Sequence, residues 1–309
     1  MKDRLYVMIL ISLIFEVFMI GACSEKEEEP IRNKVNSNEL IIKGSDSEYE
    51  LMNELLNQFS KKENGVKFRL SGAGSGKGIE ALINREINIA TSSRELNPEE
   101  KEWALQEGVD AKPLIFALDA VAFISHPMNG VDSLSPEQLR MIFAGEIKNW
   151  KDLGGTDMPV VLIGRNEHSG TNGYIFNKLH LSNWSNEILE LEHGTEVYEE
   201  VKKRKGSIGY LSLGTIVSTI GKPVSDVWAI NIFTDYAASI SPYEIGKVQN
   251  GEYYFSRPLY LYFDGLPQGL LKKFKDYLLS DDTQNELWNY GYFPLTESQI
   301  KINEKNKIN

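Results

Sequence analysis

The chain has 309 residues, 41% hydrophobic and 25% charged, which is enough for two domains of ordinary size with a normal globular balance. A formal net charge of −11 excludes a nucleic-acid partner held on a general basic surface. The only cysteine, Cys23, excludes an internal disulfide, and His126, His168, His180 and His193 lack the spacing of metal ligands, so neither metal nor cofactor is expected.

Met1-Lys2-Asp3-Arg4 is a charged start, followed by an apolar stretch from Leu5 to Ile20 that Glu16 interrupts. Gly21-Ala22-Cys23 closes it with small residues before a cysteine, the form of a bacterial lipoprotein cleavage signal. The alternative is a transmembrane anchor, which needs about 20 uninterrupted apolar residues. Residues 1–22 read as a lipoprotein signal peptide, and Cys23 as the point of diacylation, which holds a protein at a membrane without spanning it. Residues 23–37 are charged and without apolar periodicity, a solvated tether.

The folded body opens with a strand at Leu40-Ile41-Ile42, then Gly44-Ser45-Asp46-Ser47. Ser47 and Glu50 have capping-box spacing, and Leu51, Leu55 and Phe59 share one helical face. A second strand, Val66–Leu70, runs through Ser71-Gly72-Ala73-Gly74-Ser75-Gly76 into a helix carrying Ile79, Leu82 and Ile83. A third, Ile87–Ala90, ends at Thr91-Ser92-Ser93-Arg94, and Asn97-Pro98-Glu99-Glu100 starts another capped helix. Strand, loop and helix in alternation predict a parallel sheet covered by helices, with all three polar loops at the carboxyl ends of strands.

Ala120–Ile124 reads as a strand crossing into a second lobe. There Ser135-Pro136-Glu137-Gln138 caps a helix with Leu139, Ile142 and Phe143, stopped at Gly145. Val160–Ile163 leads into Arg165-Asn166-Glu167-His168-Ser169-Gly170-Thr171, and Ile208–Leu211 is a further strand. Pro258–Phe263 could carry the chain back, before an amphipathic helix with Leu270, Leu271, Phe274 and Leu278.

The Arg165 loop sets one planar cation four residues ahead of a Ser-Gly-Thr helix start. Unpaired N–H groups and the positive dipole end there attract anions, and two hydroxyls with a guanidinium complete a donor-rich pocket for a small tetrahedral oxyanion. Nucleotide chemistry does not fit the Gly-rich run: Ser71 stands where a P-loop requires glycine, and Gly78 where Ser or Thr must follow Lys77. Nor does hydrolysis, since adjacent His168 and Ser169 rarely project towards one another and no acid is placed to orient the histidine.

Taken in order, Gly44-Ser45, Gly74–Ile79, Ile89–Arg94, Leu134–Leu139 with Ile142–Trp150, Arg165–Thr171 and Gly206–Tyr210 resemble the phosphate-binding proteins of Pst-type bacterial ABC importers, from about Leu40 to Leu295. The resemblance implies an α/β, two-lobed periplasmic-binding-protein type II fold, each lobe a mostly parallel sheet flanked by helices, joined by two crossover strands. It assigns residues 38–118 and 256–300 to one lobe and 119–255 to the other. It implies phosphate held dehydrated by Asp46, Ser47, Ser75, Ser93, Arg165, Ser169, Gly170 and Thr171, with Ser45, Gly76 and Glu167 behind them. Glu167 matches an acid that braces the arginine in some relatives, its other reading being a solvent-facing charge.

Many relatives carry Thr where Asp46 stands and Asp where Ser93 stands. Asp46 is therefore expected to supply the acceptor for phosphate's proton; the competing reading turns it away, as a charge favoured by the helix dipole. The function so implied is an extracytoplasmic, lipid-anchored, monomeric receptor that makes and breaks no bond and hands phosphate to membrane permease subunits. The alternatives are another oxyanion (molybdate, tungstate, sulfate) in the same fold, or a surface lipoprotein using the pocket for sensing or adhesion.

Overall fold

The computed structural model describes residues 38–217, 224–234 and 238–308; the expected signal peptide, Cys23 and the tether lie outside them. Strands β1 (Glu39–Gly44), β2 (Lys67–Gly72) and β3 (Ile89–Ser92) pair in parallel in the order β2-β1-β3. Between them run α1 (Tyr49–Lys62) and α2 (Ser75–Ile83), and α3 (Pro98–Gln106) follows β3. Helix α1 buries Leu51, Met52, Leu55, Leu56 and Phe59, the face its periodicity predicts. The expected capping box at Ser47 does not form. A 3₁₀ turn over Asp46–Glu48 precedes α1, and the Ser47 hydroxyl turns instead towards Ser45, Ser93 and Thr171. The boxes at Asn97–Glu100 and Ser135–Gln138 form with both halves in place.

Strand β4 (Ala111–Ser125) is far longer than the expected Ala120–Ile124, because its preceding residues Leu114–Leu118 are buried and show no alternation to mark a strand. Its first part pairs with β11 (Ser256–Asp264), and from Val121 onward it pairs with β8 (Ser207–Ser212). One sheet therefore passes from lobe to lobe. In the second lobe come β5 (Ser133–Leu134), α4 (Pro136–Phe143), β6 (Val161–Arg165), α5 (Gly170–Lys178), β7 (Leu189–Leu191) and α6 (Gly194–Lys203). After β8, β9 (Trp228–Ala229) pairs with β4, and β10 (Asn231–Ile232) pairs with β5. A short α7 (Ile245–Gln249) precedes β11, which lies antiparallel between β3 and β4.

The chain ends with α8 (Gly269–Leu278), α9 (Asp281–Glu286) and α10 (Glu297–Lys305). Helix α10, beyond the stretch that carries the resemblance, is clamped to β4. Buried Asn303 accepts from Ile115 N at 2.9 Å and donates to Ile115 O at 2.8 Å. One hydrophobic cluster, around Phe123, Phe143, Trp150 and Tyr210, fills the second lobe. A second contains α1 and α8 residues with Leu259 and Leu261 of β11, and a third contains α2 residues with Tyr260 and Tyr262. Alternation along β11 thus feeds two cores on opposite faces of the first lobe's sheet. Among the described residues no helix is long and apolar enough to cross a membrane.

Candidate functional site

The loops after β1, β2, β3 and β6 converge where the two lobes meet. Ser75 is the first residue of α2, and Ser169 is the N-cap of α5, its hydroxyl accepting from Asn172 N at 3.3 Å. Two helix N-termini, one from each lobe, therefore face a common point with their positive dipole ends and unpaired N–H groups. Their approach is close. A Cβ added at Gly170 would lie 2.1 Å from Ser75 Oγ and 2.5 Å from Ser93 Oγ, so only glycine lets the α5 backbone reach the first lobe there. Gly74, at φ +90°, packs likewise against the His168 carbonyl.

Around that point the hydroxyls form one network. Ser45 Oγ and Ser47 Oγ donate to Ser93 Oγ at 3.2 and 3.4 Å, and Ser75 Oγ accepts from Ser93 N at 3.2 Å. Ser47 Oγ lies 3.3 Å from Thr171 Oγ1, joining first lobe to second. Thr171, Ser75, Ser93, Ser45 and Ser169 are all buried. Gly76, expected behind Ser75, sits in the same turn, near Arg94 and the His168 carbonyl.

Arg165, at the end of β6, is 2% exposed and donates from Nη2 to Asp46 Oδ2 at 3.0 Å and to the Glu192 carbonyl. Burial pulls its guanidinium below the ordinary value, and the Asp46 charge opposes this. Its Nε is buried with no hydrogen-bond partner among the described residues. Asp46 also meets His193 Nδ1 through Oδ1 at 2.6 Å and accepts weakly from Gly194 N at 3.4 Å. Its carboxylate is thus spent on a cross-lobe ion pair, which neither sequence reading of Asp46 anticipates. The carboxylate that braces Arg165 is Asp46 rather than Glu167. The Glu167 side chain is 88% exposed on the turn, with His168 as its neighbour.

Two residues here were missed by the sequence reading. Arg257, on β11, donates to Asp119 Oδ2 of β4 from Nε and Nη2 at 2.9 and 2.7 Å, and both side chains are buried. They are directly opposed in the strand register. Ser212 Oγ donates to Asp119 Oδ1 at 2.8 Å, and burial pushes the Asp119 carboxyl up while Arg257 and Ser212 oppose it. The signal was present in the sequence. A lone Asp inside the apolar run 114–124 requires a buried cation, and Arg257 opens the other long apolar strand.

Glu48, fully buried in the 3₁₀ turn, has both carboxyl oxygens without a hydrogen-bond partner among the described residues. Burial pushes its carboxyl well above 4.5, opposed first by Ser45. The folded protein therefore keeps a proton there that the unfolded chain releases, so stability falls as pH rises past 4.5 towards the folded value. Glu48→Met is expected to stabilise the protein by about 1–3 kcal/mol near neutral pH and to flatten that slope. Urea unfolding over a pH series measures both; an unchanged slope would refute it.

The cluster lies between two openings: one of about 760 Å³ lined by Asp46, Ser47, Arg165, His193 and Tyr292, the other of about 1100 Å³ lined by Ser93, Tyr174, Arg257 and Tyr260. Fold and site together define a two-lobed receptor that presents hydroxyls, helix N-termini and guanidinium groups to a small anion.

Residues 28–282 match the PBP superfamily domain. The chain is 29% identical to the phosphate-binding protein PstS of Bacillus subtilis, over 97% of this chain and 96% of that one. It is 32% identical to PstS of Borreliella burgdorferi, over 62% of this chain and 69% of that one. A structure from Clostridium perfringens, assigned as a phosphate ABC transporter substrate-binding protein and solved with bound phosphate, superposes with a TM-score of 0.73 at 26% identity. That superposition covers 84% of this chain and 100% of the other. The chain belongs to the PBP superfamily and, within it, to the PstS family of phosphate-binding proteins.

Proposed function

We propose that this protein captures inorganic phosphate between its lobes and delivers it to an ABC importer. The carrying observation is Arg165, buried at the lobe junction with an Nε that has no hydrogen-bond partner among the described residues. A buried N–H without an acceptor costs about 1–3 kcal/mol, and a tetrahedral oxyanion supplies acceptors in several directions at once. Ser47, Ser75, Ser93, Ser169 and Thr171 would replace its water shell together with the amides of Gly170 and Thr171, while Asp46 fixes the guanidinium. Closing the lobes brings these donors together, so binding and closure are one equilibrium.

The relatives named for phosphate, and the phosphate-bound structure, favour this ion over other oxyanions. Residues 38–118 and 256–300 would form one lobe and 119–255 the other, with β4 and β11 as the hinge. Cys23 would carry the lipid anchor that keeps this monomeric receptor outside the cytoplasm beside its permease. No bond is made or broken. Calorimetry of protein stripped of endogenous anion should show one phosphate per chain, with sulfate and molybdate bound far more weakly. A tighter sulfate or molybdate complex, or no anion binding at all, would overturn the reading.

A further inference from the structure

Arg257 is a buried charged group that neither the sequence reading nor the proposed function uses. Its side chain is 1% exposed, and it leaves the crossing strand β11 to reach three parts of the site. Nη1 donates to the Ser93 carbonyl at 3.3 Å. Nη2 donates to Asp119 Oδ2 at 2.7 Å, to Thr171 Oγ1 at 3.1 Å and to Ser47 Oγ at 3.4 Å. Nη2 has two hydrogens for three acceptors, so one is held by Asp119 and the other is shared between the two hydroxyls. The face of Tyr174 closes over the guanidinium, with Cζ 5.3 Å from the ring centre.

This arrangement has a consequence for proton direction. A hydroxyl carries one proton and two lone pairs, whereas a guanidinium offers donors only. Ser47 and Thr171 must receive Arg257 on a lone pair, which leaves each O–H to point away from it, that of Ser47 lying on Ser93 Oγ at 3.4 Å until an anion takes it. We propose that Arg257, held in place by Asp119, is a positioning residue of the anion site that sets Ser47 of one lobe and Thr171 of the other as donors towards the bound oxyanion. Because the shared hydrogen lies between a hydroxyl of each lobe, closure is what brings both acceptors to Arg257. The inference rests on the phosphate reading above.

The test is a set of thermodynamic cycles on the full chain, read as phosphate Kd by calorimetry. Two backgrounds replace the group. Arg257→Lys keeps a cation beside Asp119 but loses the planar fork. The double variant Arg257→Gln with Asp119→Asn removes both buried charges while keeping similar volume. In each, phosphate affinity is expected to fall about ten- to a hundredfold. Adding Thr171→Val should then cost less than about twofold, against about tenfold in the native background, because the hydroxyl has already lost its direction. Ser169→Ala, a hydroxyl that Arg257 does not touch, should cost the same factor in all backgrounds, a pattern that general loosening would not produce. Native-like affinity in either background, or an equal cost of Thr171→Val with and without Arg257, overturns the proposal. Failure of the native protein to bind phosphate would instead overturn the function itself.

Discussion

Arg165→Gln is expected to weaken phosphate binding by about 2–5 kcal/mol, or some thirty- to several-thousandfold in Kd. The substitution takes away the buried cation of the β6 loop and, with it, the only Nε at the junction that lacks a protein acceptor among the described residues. It also strips Asp46 of its arginine partner, so a carboxylate only 16% exposed is left facing the incoming anion with the His193 ring as its remaining side-chain partner. Both effects act in the same direction. Arg165→Lys should fall between, since it restores the charge without the fork that serves Asp46 and the ion together. Titration calorimetry gives the answer directly, and an Arg165→Gln protein binding phosphate within about fivefold of native would remove this residue from the site.

The largest effect on stability is expected at Asp119. Asp119→Ala leaves Arg257 charged and enclosed between β4 and β11, with Ser212 also losing the shorter of its two hydrogen bonds. Breaking one partner of a buried pair costs about 3–5 kcal/mol, far more than the pair contributes relative to a well-packed apolar replacement. Asp119→Leu combined with Arg257→Met should therefore recover much of the loss in a urea melt. A single Asp119→Ala variant within about 1 kcal/mol of native would show that water reaches the pair. The contrast matters for function: the apolar pair would restore the hinge without restoring the hydroxyl orientation assigned to Arg257.

The features that could be read from the chain alone are those whose physics is local. The capping boxes of α3 and α4 are closed by residues three apart, and both form as the spacing requires. The Ser75 and Ser169–Thr171 helix starts are written in contiguous residues, and the fold brings them face to face. The stretch from Ile142 to Trp150 carries part of the family resemblance, yet its two ends belong to the core: Ile142, Phe143 and Trp150 are fully buried, and Trp150 donates to the Gly206 carbonyl at 2.8 Å. What stayed hidden depends on partners distant in sequence. Asp119 and Arg257 become neighbours through strand register alone, 138 positions apart. The Asp46–Arg165 pair needs the lobes to be together before it exists. Ser47 was misread as a cap because its competing partners, Ser93, Thr171 and Arg257, come from three other segments.

The order in which this chain emerges from the ribosome does not match the order in which it can be assembled. The second lobe is one continuous stretch between β4 and β11, so it can condense while synthesis proceeds. The first lobe cannot: β11 must slot between β3 and β4, and α10 must bring Asn303 to the backbone of Ile115. Non-local closures of that kind are slow. A chain halted before β11 would thus carry a finished distal half on an open, edge-exposed sheet, and competence for ligand would arrive only once β11 had been made.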